Sequence, residues 1–453
     1  MSVATSMAGK VAEMATLVLL ATVVPRVLGP ADFGRFAVPL TVVTIGSLAL
    51  TLGGPTLMAR FVPVAPPEER VALARALGGR LARGRGAQLG VVAGAALVAV
   101  VLDPARFPPL ETALVVGALT LNVAAALALQ VPLGLGMTGA WSLRYPLHNV
   151  VLIAAVLVLH PVAGTTGPLV AILLAAVAAA AFGAAAAAPV LGAAPARAAV
   201  PAGAIRFGVL QAAGAALVQF AHRGGVLAVA VLVGSAAETG FAALAIGIAL
   251  GATYAVLQAF TVSLPHLADR TAAMRSGAVP RGGGSGQRGL RWPASPRRTT
   301  DPATAQAEAV LRRLAGSLVA ALVPVASVAA LALDAVVPAL FGSGYEGAAS
   351  AFGPALALAA LAPLNALAVQ AAALRLRPEV ALASGLAAAL AFLVAAVAFV
   401  PAWGAVGGTA ASLAGASAGA LVSLWLLPGA AGGRITAASF AGAAGVLILA
   451  TVT

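Results

Sequence analysis

Long apolar stretches follow one another along this chain, and short polar turns separate them. An α-helix of about 20 apolar residues crosses a hydrocarbon core of about 30 Å, so each stretch predicts one membrane-spanning helix. A transmembrane β-barrel would instead show short segments of alternating polarity. The pattern predicts an all-α polytopic membrane protein with a short apolar segment at 435–452 and twelve spans before it, at 6–28, 36–62, 87–102, 110–136, 145–160, 166–191, 206–233, 239–265, 314–341, 351–375, 379–400 and 404–428.

The basic residues alternate between the turns in a way that predicts the orientation. If the N-terminus is cytoplasmic, the inner segments hold Lys10 and most of the arginines, whereas the outer segments hold only Arg26, Arg35 and Arg106. Positive charge resists translocation, so this asymmetry favours a cytoplasmic N-terminus in a cell membrane. The net charge of +13 is then explained by basic inner loops that face an anionic leaflet.

One segment is poor in apolar residues and breaks the pattern after the eighth span. It is rich in Gly, Pro, Ser and Arg and includes "RSGAVPRGGGSGQRGLRWPASPRRTTDP". This composition predicts a disordered cytoplasmic linker at 268–310.

Composition excludes several classes of site. With 61% hydrophobic and 9% charged residues, the chain cannot cover itself against water as a soluble protein does. The absence of cysteine excludes disulfides and thiolate chemistry. The four histidines are scattered, and the single lysine belongs to no phosphate-binding loop. We therefore expect no metal, no other cofactor, no ATP hydrolysis and, since no basic module occurs, no nucleic-acid partner.

Two outer turns resemble each other. "LGPADFGRF" joins the first two spans and "LVGSAAETGFAALAIG" joins spans seven and eight, with Gly29 matching Gly234 and Gly34 matching Gly240. Both turns face the same side, which indicates parallel repeats related by an axis along the membrane normal. We predict a first lobe at 1–192, a second lobe at 193–428 that the linker interrupts, and an extra hydrophobic segment at 429–453.

"LGPADFGRFAVPLTVV" is similar to the helix 1–2 turn of one protein family, and "HRGGVLAVAVLVGSAAETGFAALA" to its helix 7–8 unit. The family that these segments resemble is the O-antigen and teichoic-type polysaccharide flippases of the multidrug/oligosaccharidyl-lipid/polysaccharide (MOP) exporter superfamily. "FGSGYEGAA" and "FVPAWGAVGGTAAS" resemble their helix 9–10 turn and the entry to helix 12. The chain departs from the family in its longer linker and at His222, where the family pattern is commonly acidic.

The resemblance implies two six-helix lobes around a central cleft that opens alternately to each side of the membrane. It also implies a cargo, an oligosaccharide on a polyprenyl diphosphate, and no covalent reaction. A charged headgroup at the bilayer centre costs at least about 3 kcal/mol even on lenient scales, and a cationic cleft removes that cost. Membrane lipids and proteins of polysaccharide assembly are the further partners that it suggests.

The seventh span carries the most informative polar side chains. Gln211, Gln219, His222 and Arg223 fall within about 120° of one another around a helix, which predicts a cargo-binding stripe. The planar guanidinium of Arg223 suits phosphate oxygens. The alternative is that Arg223 pairs with an acid such as Asp334 or extends to the outer interface.

Four other ionisable residues are candidates. Arg26 either contacts cargo at the outer mouth or anchors the first helix, and Arg60 either contacts cargo at the inner end or is a positive-inside anchor. Glu13 and Asp334 are candidates for ion coupling. Lys10 and Glu13 are spaced i, i+3, so they are also able to neutralise each other. Tyr254 and the residues around Arg144 are weaker candidates, since such side chains more often bond neighbouring helices or face solvent.

Three functions compete on these observations. The first is a flippase that moves polyprenyl-diphosphate-linked oligosaccharide from the inner to the outer leaflet by alternating access. The second is a cation- or proton-coupled drug or metabolite antiporter of the same superfamily. The third, a membrane glycosyltransferase or polymerase, is disfavoured because the outer loops are short.

Overall fold

A computed structural model describes residues 3–51, 53–63, 65–66, 68–192, 198–201, 203–277, 302–375 and 377–452. This part of the chain is almost entirely helical, and it contains no strand. The helices are α1 (Val3–Thr51), α2 (Gly54–Phe61), α3 (Arg70–Leu102), α4 (Pro109–Gly134), α5 (Thr138–Ala163), α6 (Thr166–Leu191), α7 (Ala204–Leu232), α8 (Ala236–Gly277), α9 (Pro302–Ala330), α10 (Leu333–Phe341), α11 (Ala349–Leu374), α12 (Pro378–Leu426) and α13 (Gly433–Val452), with a 3₁₀ turn at Ser343–Ala348 before α11.

Eleven helices of the described chain are long and apolar enough to cross a membrane. Two of them change direction at a glycine, because Gly29 (φ 69°) and Gly404 (φ 52°) adopt backbone angles that side chains disfavour. Each bent helix therefore supplies two of the predicted spans, and α13 corresponds to the short apolar segment at 435–452. The predicted fold class is confirmed. Following the predicted orientation, we call the end of the bundle that holds the N-terminus the inner end.

Helix α3 is longer than predicted. It begins at Arg70 instead of residue 87, and its 33 residues span about 50 Å. Leu73, Leu77 and Leu81 recur every fourth residue and are buried in one core with Met58 and Phe61 of α2. The arginines between these leucines made the segment look like a loop, although they lie on the other faces of the helix.

Helices extend into both ends of the segment predicted as a linker at 268–310. Helix α8 continues to Gly277 and α9 begins at Pro302, while residues 278–301 lie outside the described residues. The segment that opens α9, "ATAQAEAVLRRL", is rich in Ala, Gln, Glu, Leu and Arg, which are strong helix formers. The charged residues of this segment are typical of a linker, but its high helix propensity favours the helix that the structure shows.

Small residues allow the helices of the second lobe to pack at backbone distance. A Cβ built on Gly225 of α7 would overlap the carbonyl oxygen of Gly408 of α12, and a Cβ on Gly385 would lie 2.5 Å from the carbonyl oxygen of Gly214. Such close approach is how apolar helices associate in membranes, where burial from water contributes little. It fixes α7 against α12 over most of its length.

The two resembling turns contact each other at the outer end. A Cβ on Gly34 would overlap the carbonyl oxygen of Ala236, and a Cβ on Gly240 would overlap that of Pro30. The contact is reciprocal, as expected for elements on either side of a pseudo-two-fold axis. In addition, the Tyr345 hydroxyl donates to the carbonyl oxygen of Pro25 at 3.0 Å. We call these contacts the outer closure.

A side chain of the second turn also stabilises the bend in α12. The Glu238 carboxylate accepts a hydrogen bond of 2.8 Å from the backbone N–H of Ala405, directly after the break at Gly404. This N–H opens the second arm of α12 and lacks a partner within the helix. The outer turn and the bend are therefore held together as one unit.

We expect Gly240→Val to separate the lobes at the outer end, because real Cβ atoms do not approach another atom as closely as this one would approach Pro30. Spin labels at Arg106→Cys and Leu331→Cys, two exposed outer positions in a chain without native cysteine, should report a longer distance. Gly251→Ala on the same helix is the control, since nothing lies within 4 Å of its added Cβ. An unchanged distance between the two labels in Gly240→Val would contradict the role of Gly240 in the outer closure.

Candidate functional site

Arg223 lies half-buried in α7, with its side chain directed back along the helix. Its Nε donates to Oε1 of Gln219 at 3.4 Å, one turn earlier, which is at the long limit of a hydrogen bond. Asp334, the acid considered as its partner, is exposed at the start of α10. Among the described residues Arg223 forms no ion pair, so its charge is available to another group.

Arg223 lies within electrostatic range of the phenol of Tyr145, which belongs to α5 of the first lobe. The same phenol is hydrogen-bonded to the guanidinium of Arg144, which lies 4.1 Å from the centre of the Tyr145 ring and 4.7 Å from that of Trp141. These aromatic rings hold Arg144 by cation–π contact.

Glu13 joins the lobes from the other side. This residue of α1 is only 1% exposed, and its carboxylate accepts a hydrogen bond from the phenol of Tyr254 on α8. The Tyr254 ring meets the Tyr145 ring edge-on, with 6.5 Å between their centres. Asn149 of α5 donates to the hydroxyl of Thr16 at 3.1 Å, which holds α1 against α5 beside Glu13.

These contacts form one continuous polar region between the lobes, which we call the interlobe cluster. It consists of Glu13, Arg144, Tyr145, Gln219, Arg223 and Tyr254. The cluster contains two guanidinium groups and one carboxylate, so it carries an excess of positive charge. It offers several N–H and O–H donors, and guanidinium groups in particular match the oxygens of phosphates.

The lobes are joined towards the inner end partly by members of this cluster and partly by contacts beyond it. The Glu13–Tyr254 bond joins α1 to α8, and on the other side a Cβ on Gly53 would overlap the carbonyl oxygen of Gly208 at the start of α7. Leu57 lies 2.5 Å from the position of a Cβ on Gly208. We call these contacts the inner closure. With the outer closure also formed, the lobes touch at both ends of the cluster.

His222 is separated from the rest of the predicted stripe. Its ring is 4% exposed, and neither ring nitrogen has a hydrogen-bond partner in the described part of the chain. It faces a cavity of about 30 Å³ inside the second lobe, lined by Asn365, Ser384 and Ser423 of α11 and α12. The structure therefore brings Gln219 and Arg223 together but directs His222 elsewhere.

The remaining candidates lie apart from the cluster. Arg26 is exposed just before the bend of α1 at Gly29, and Asp334 is exposed at the start of α10. Gln211 is half-buried on α7, about 18 Å from Arg223 along the helix towards the inner end. Arg60 belongs to α2, but its side chain lies outside the described residues, as does that of Lys10.

Sequence reasoning gave little weight to Tyr145, Tyr254 and Arg144. One signal would have found the first two, because the chain contains only three tyrosines. All three lie at contacts between the lobes, with Tyr345 at the outer closure. A phenol suits this position, since it packs against apolar residues and still donates a hydrogen bond.

Comparison with solved structures identifies the fold. The lipid II flippase MurJ in an inward closed conformation matches with a TM-score of 0.60 and 9% identity, over 100% of this chain and 92% of that one. A MATE transporter of Vibrio cholerae gives 0.58 and 15%, over 93% of each chain. A MOP superfamily transporter from Pyrococcus furiosus, described by the reverse polarity of its binding pocket, gives 0.57 and 15%, over 96% and 94%.

These likenesses show that the chain has the MATE- and MurJ-like transporter fold, with two lobes of six spans. At such low identity they show the fold alone. No protein-family model matches the chain, and no curated protein matches it.

Proposed function

We propose that this protein is a flippase that carries polyprenyl-diphosphate-linked oligosaccharide from the inner to the outer leaflet of the cell membrane. The observation that supports it most is the interlobe cluster, in which Arg223 and Arg144 lie between the lobes and Arg223 forms no ion pair among the described residues. A diphosphate brings the negative charge that this arrangement lacks. The polyprenyl tail stays in the bilayer, and no covalent step is required.

Alternating access gives the two closures their roles. In this proposal the inner closure opens to admit the headgroup from the cytoplasmic leaflet, and the outer closure opens to release it. The diphosphate binds Arg223 while both are shut. The N-terminus is cytoplasmic, and proteins of polysaccharide assembly supply and receive the cargo.

Glu13 favours a second candidate function. A buried carboxylate on α1 is what a cation- or proton-coupled drug or metabolite antiporter requires. The carboxylate is hydrogen-bonded to Tyr254, however, and the charge of the cluster as a whole is positive. We therefore rank the antiporter second.

Transport assays on the reconstituted protein distinguish the flippase from the antiporter. Vesicles contain undecaprenyl diphosphate bearing a disaccharide with an NBD fluorophore, and dithionite is added outside to bleach accessible NBD. A flippase exposes the inner-leaflet pool to dithionite, whereas protein-free vesicles keep it protected. Ethidium efflux driven by a proton or sodium gradient is measured in parallel. Ethidium transport with a fully protected NBD pool would establish the antiporter and reject the flippase.

A further inference from the structure

A second cavity lies between the lobes at the inner end, away from the interlobe cluster. It has a volume of about 470 Å³. One wall is a face of α3 formed by Arg80, Leu81, Gly84, Arg85 and Gln88. The opposite wall is formed by Leu57 of α2 and by Ile205 and Val209 of α7. Arg80 and Gly84 are exposed, so the cavity is open to the surface on one side.

Arg85 is the unusual member of this lining. It is only 3% exposed, and its Nε has no hydrogen-bond partner among the described residues. Its NH1 donates to the side-chain oxygen of Gln88, which is neutral, and no ion pair of Arg85 occurs in the described chain. A buried charge without a partner is costly, so a ligand that supplied the missing acceptors would be stabilised here.

The position of Arg85 along α3 indicates where that ligand comes from. Seventeen residues separate it from the outer end of α3 at Leu102, a rise of about 25 Å, so it lies close to the inner edge of a hydrocarbon core of about 30 Å. Between these two points α3 exposes large apolar residues, including Val91, Leu97 and Val101, as a lipid-facing helix does. The cavity mouth is therefore at headgroup height beside an acyl-chain surface.

We propose that this cavity binds the headgroup phosphate of an anionic phospholipid from the inner leaflet. The guanidinium of Arg85 contacts the phosphate oxygens, Arg80 adds charge at the mouth, and the acyl chains run along the exposed face of α3. The apolar wall of Leu57, Ile205 and Val209 covers the glycerol end. Because that wall belongs to α2 and α7, the lipid lies beside the inner closure at Gly53 and Gly208.

The test is lipid binding to the full-length protein in phosphatidylcholine nanodiscs, by native mass spectrometry with added phosphatidylglycerol. The parent should retain phosphatidylglycerol, and Arg85→Gln should bind it at least tenfold more weakly. Arg83→Gln is the matched control, because Arg83 is exposed on the same helix and lies about 200° around it from Arg85. Equal binding by the parent and Arg85→Gln would overturn the proposal.

Two further binding measurements determine the chemical class of the ligand. Diacylglycerol with the same acyl chains should not be retained, and inorganic phosphate should not displace phosphatidylglycerol at matched concentration. Displacement by phosphate would establish a free-anion site and reject the lipid. Retention of diacylglycerol would show that the charge of Arg85 is not used.

A second variant tests the same cavity without changing Arg85, so that misfolding of Arg85→Gln cannot explain the result. A Cβ on Gly84 meets nothing within 4 Å, so Gly84→Leu should fill the cavity without disturbing its walls. It should weaken phosphatidylglycerol binding while leaving Arg85 in place. In phosphatidylcholine alone, Arg85→Gln should also unfold at no lower temperature than the parent, since it removes an unpaired buried charge. A lower unfolding temperature together with unchanged lipid binding would assign Arg85 a structural role instead.

Discussion

Replacing Arg223 with alanine is expected to slow headgroup translocation at least about tenfold. Charge-assisted hydrogen bonds contribute about 1.5–3 kcal/mol each, and every 1.4 kcal/mol corresponds to a tenfold change. Arg223 is half-buried and lacks an ion-pair partner in the described chain, so the variant removes charge from the proposed cargo site without leaving an acid unpaired. The NBD-disaccharide assay measures the rate directly.

Two comparison variants separate charge from shape at this position. Arg223→Lys keeps the charge but loses the planar fork that contacts two phosphate oxygens, so its rate should lie between those of the parent and Arg223→Ala. Arg106→Ala removes the same charge from an exposed outer loop and should translocate like the parent. If Arg223→Ala matches Arg106→Ala, the phosphate role of Arg223 is wrong.

The second large effect concerns the balance between the two closures. Tyr254→Phe and Glu13→Gln each weaken the hydrogen bond that joins α1 to α8, so both should shift the protein towards an inward-open state. A hydrogen bond to a charged group is worth about 1.5–3 kcal/mol, which predicts a change of about tenfold or more in the ratio of open to closed molecules. Phenylalanine keeps the ring contact with Tyr145, which isolates the hydroxyl.

Tyr345→Phe should act in the opposite direction. It removes the bond to Pro25 at the outer closure and should favour the outward-open state, by a smaller factor because both partners are neutral. Spin labels at Met137→Cys and Arg434→Cys, exposed at the inner ends of the first and second lobes, report the inner distance. It should lengthen in Tyr254→Phe and not in Tyr345→Phe. Lengthening in both variants would mean that the closures do not alternate.

The fold was largely predictable because a membrane-spanning helix requires a local run of apolar residues, which the sequence shows directly. Each span is an apolar run of fixed minimum length, and each turn interrupts it with charge, Pro or Gly. The error in α3 has the same origin. Between residues 70 and 84 a leucine stripe faces α2 while arginines cover the other faces, so an average over the window looks polar although the helix continues.

The site was predictable only in part. Glu13 and Arg223 stood out singly, because a charge within an apolar span is rare. Their connection through Tyr145 and Tyr254 depends on which helices of the two lobes face each other, and a single helix does not contain that information. His222 illustrates the limit. It lies on the same side of α7 as Gln219, yet it packs against α11 and α12. One edge of that side faces the interior of the second lobe, and the other edge faces the first lobe.

The most direct test of alternating access is to lock the outer closure and measure transport. A Cβ on Gly344 would lie 3.4 Å from the Pro30 ring, so Pro30→Cys and Gly344→Cys place two thiols within reach of a short cross-linker in a chain with no native cysteine. We expect the cross-linked protein to translocate the NBD-disaccharide headgroup no faster than protein-free vesicles, and cleavage of the linker to restore the rate. Each single-cysteine variant treated in the same way should be unaffected. Translocation by the cross-linked protein at the parent rate would show that the lobes need not part, and would contradict the account.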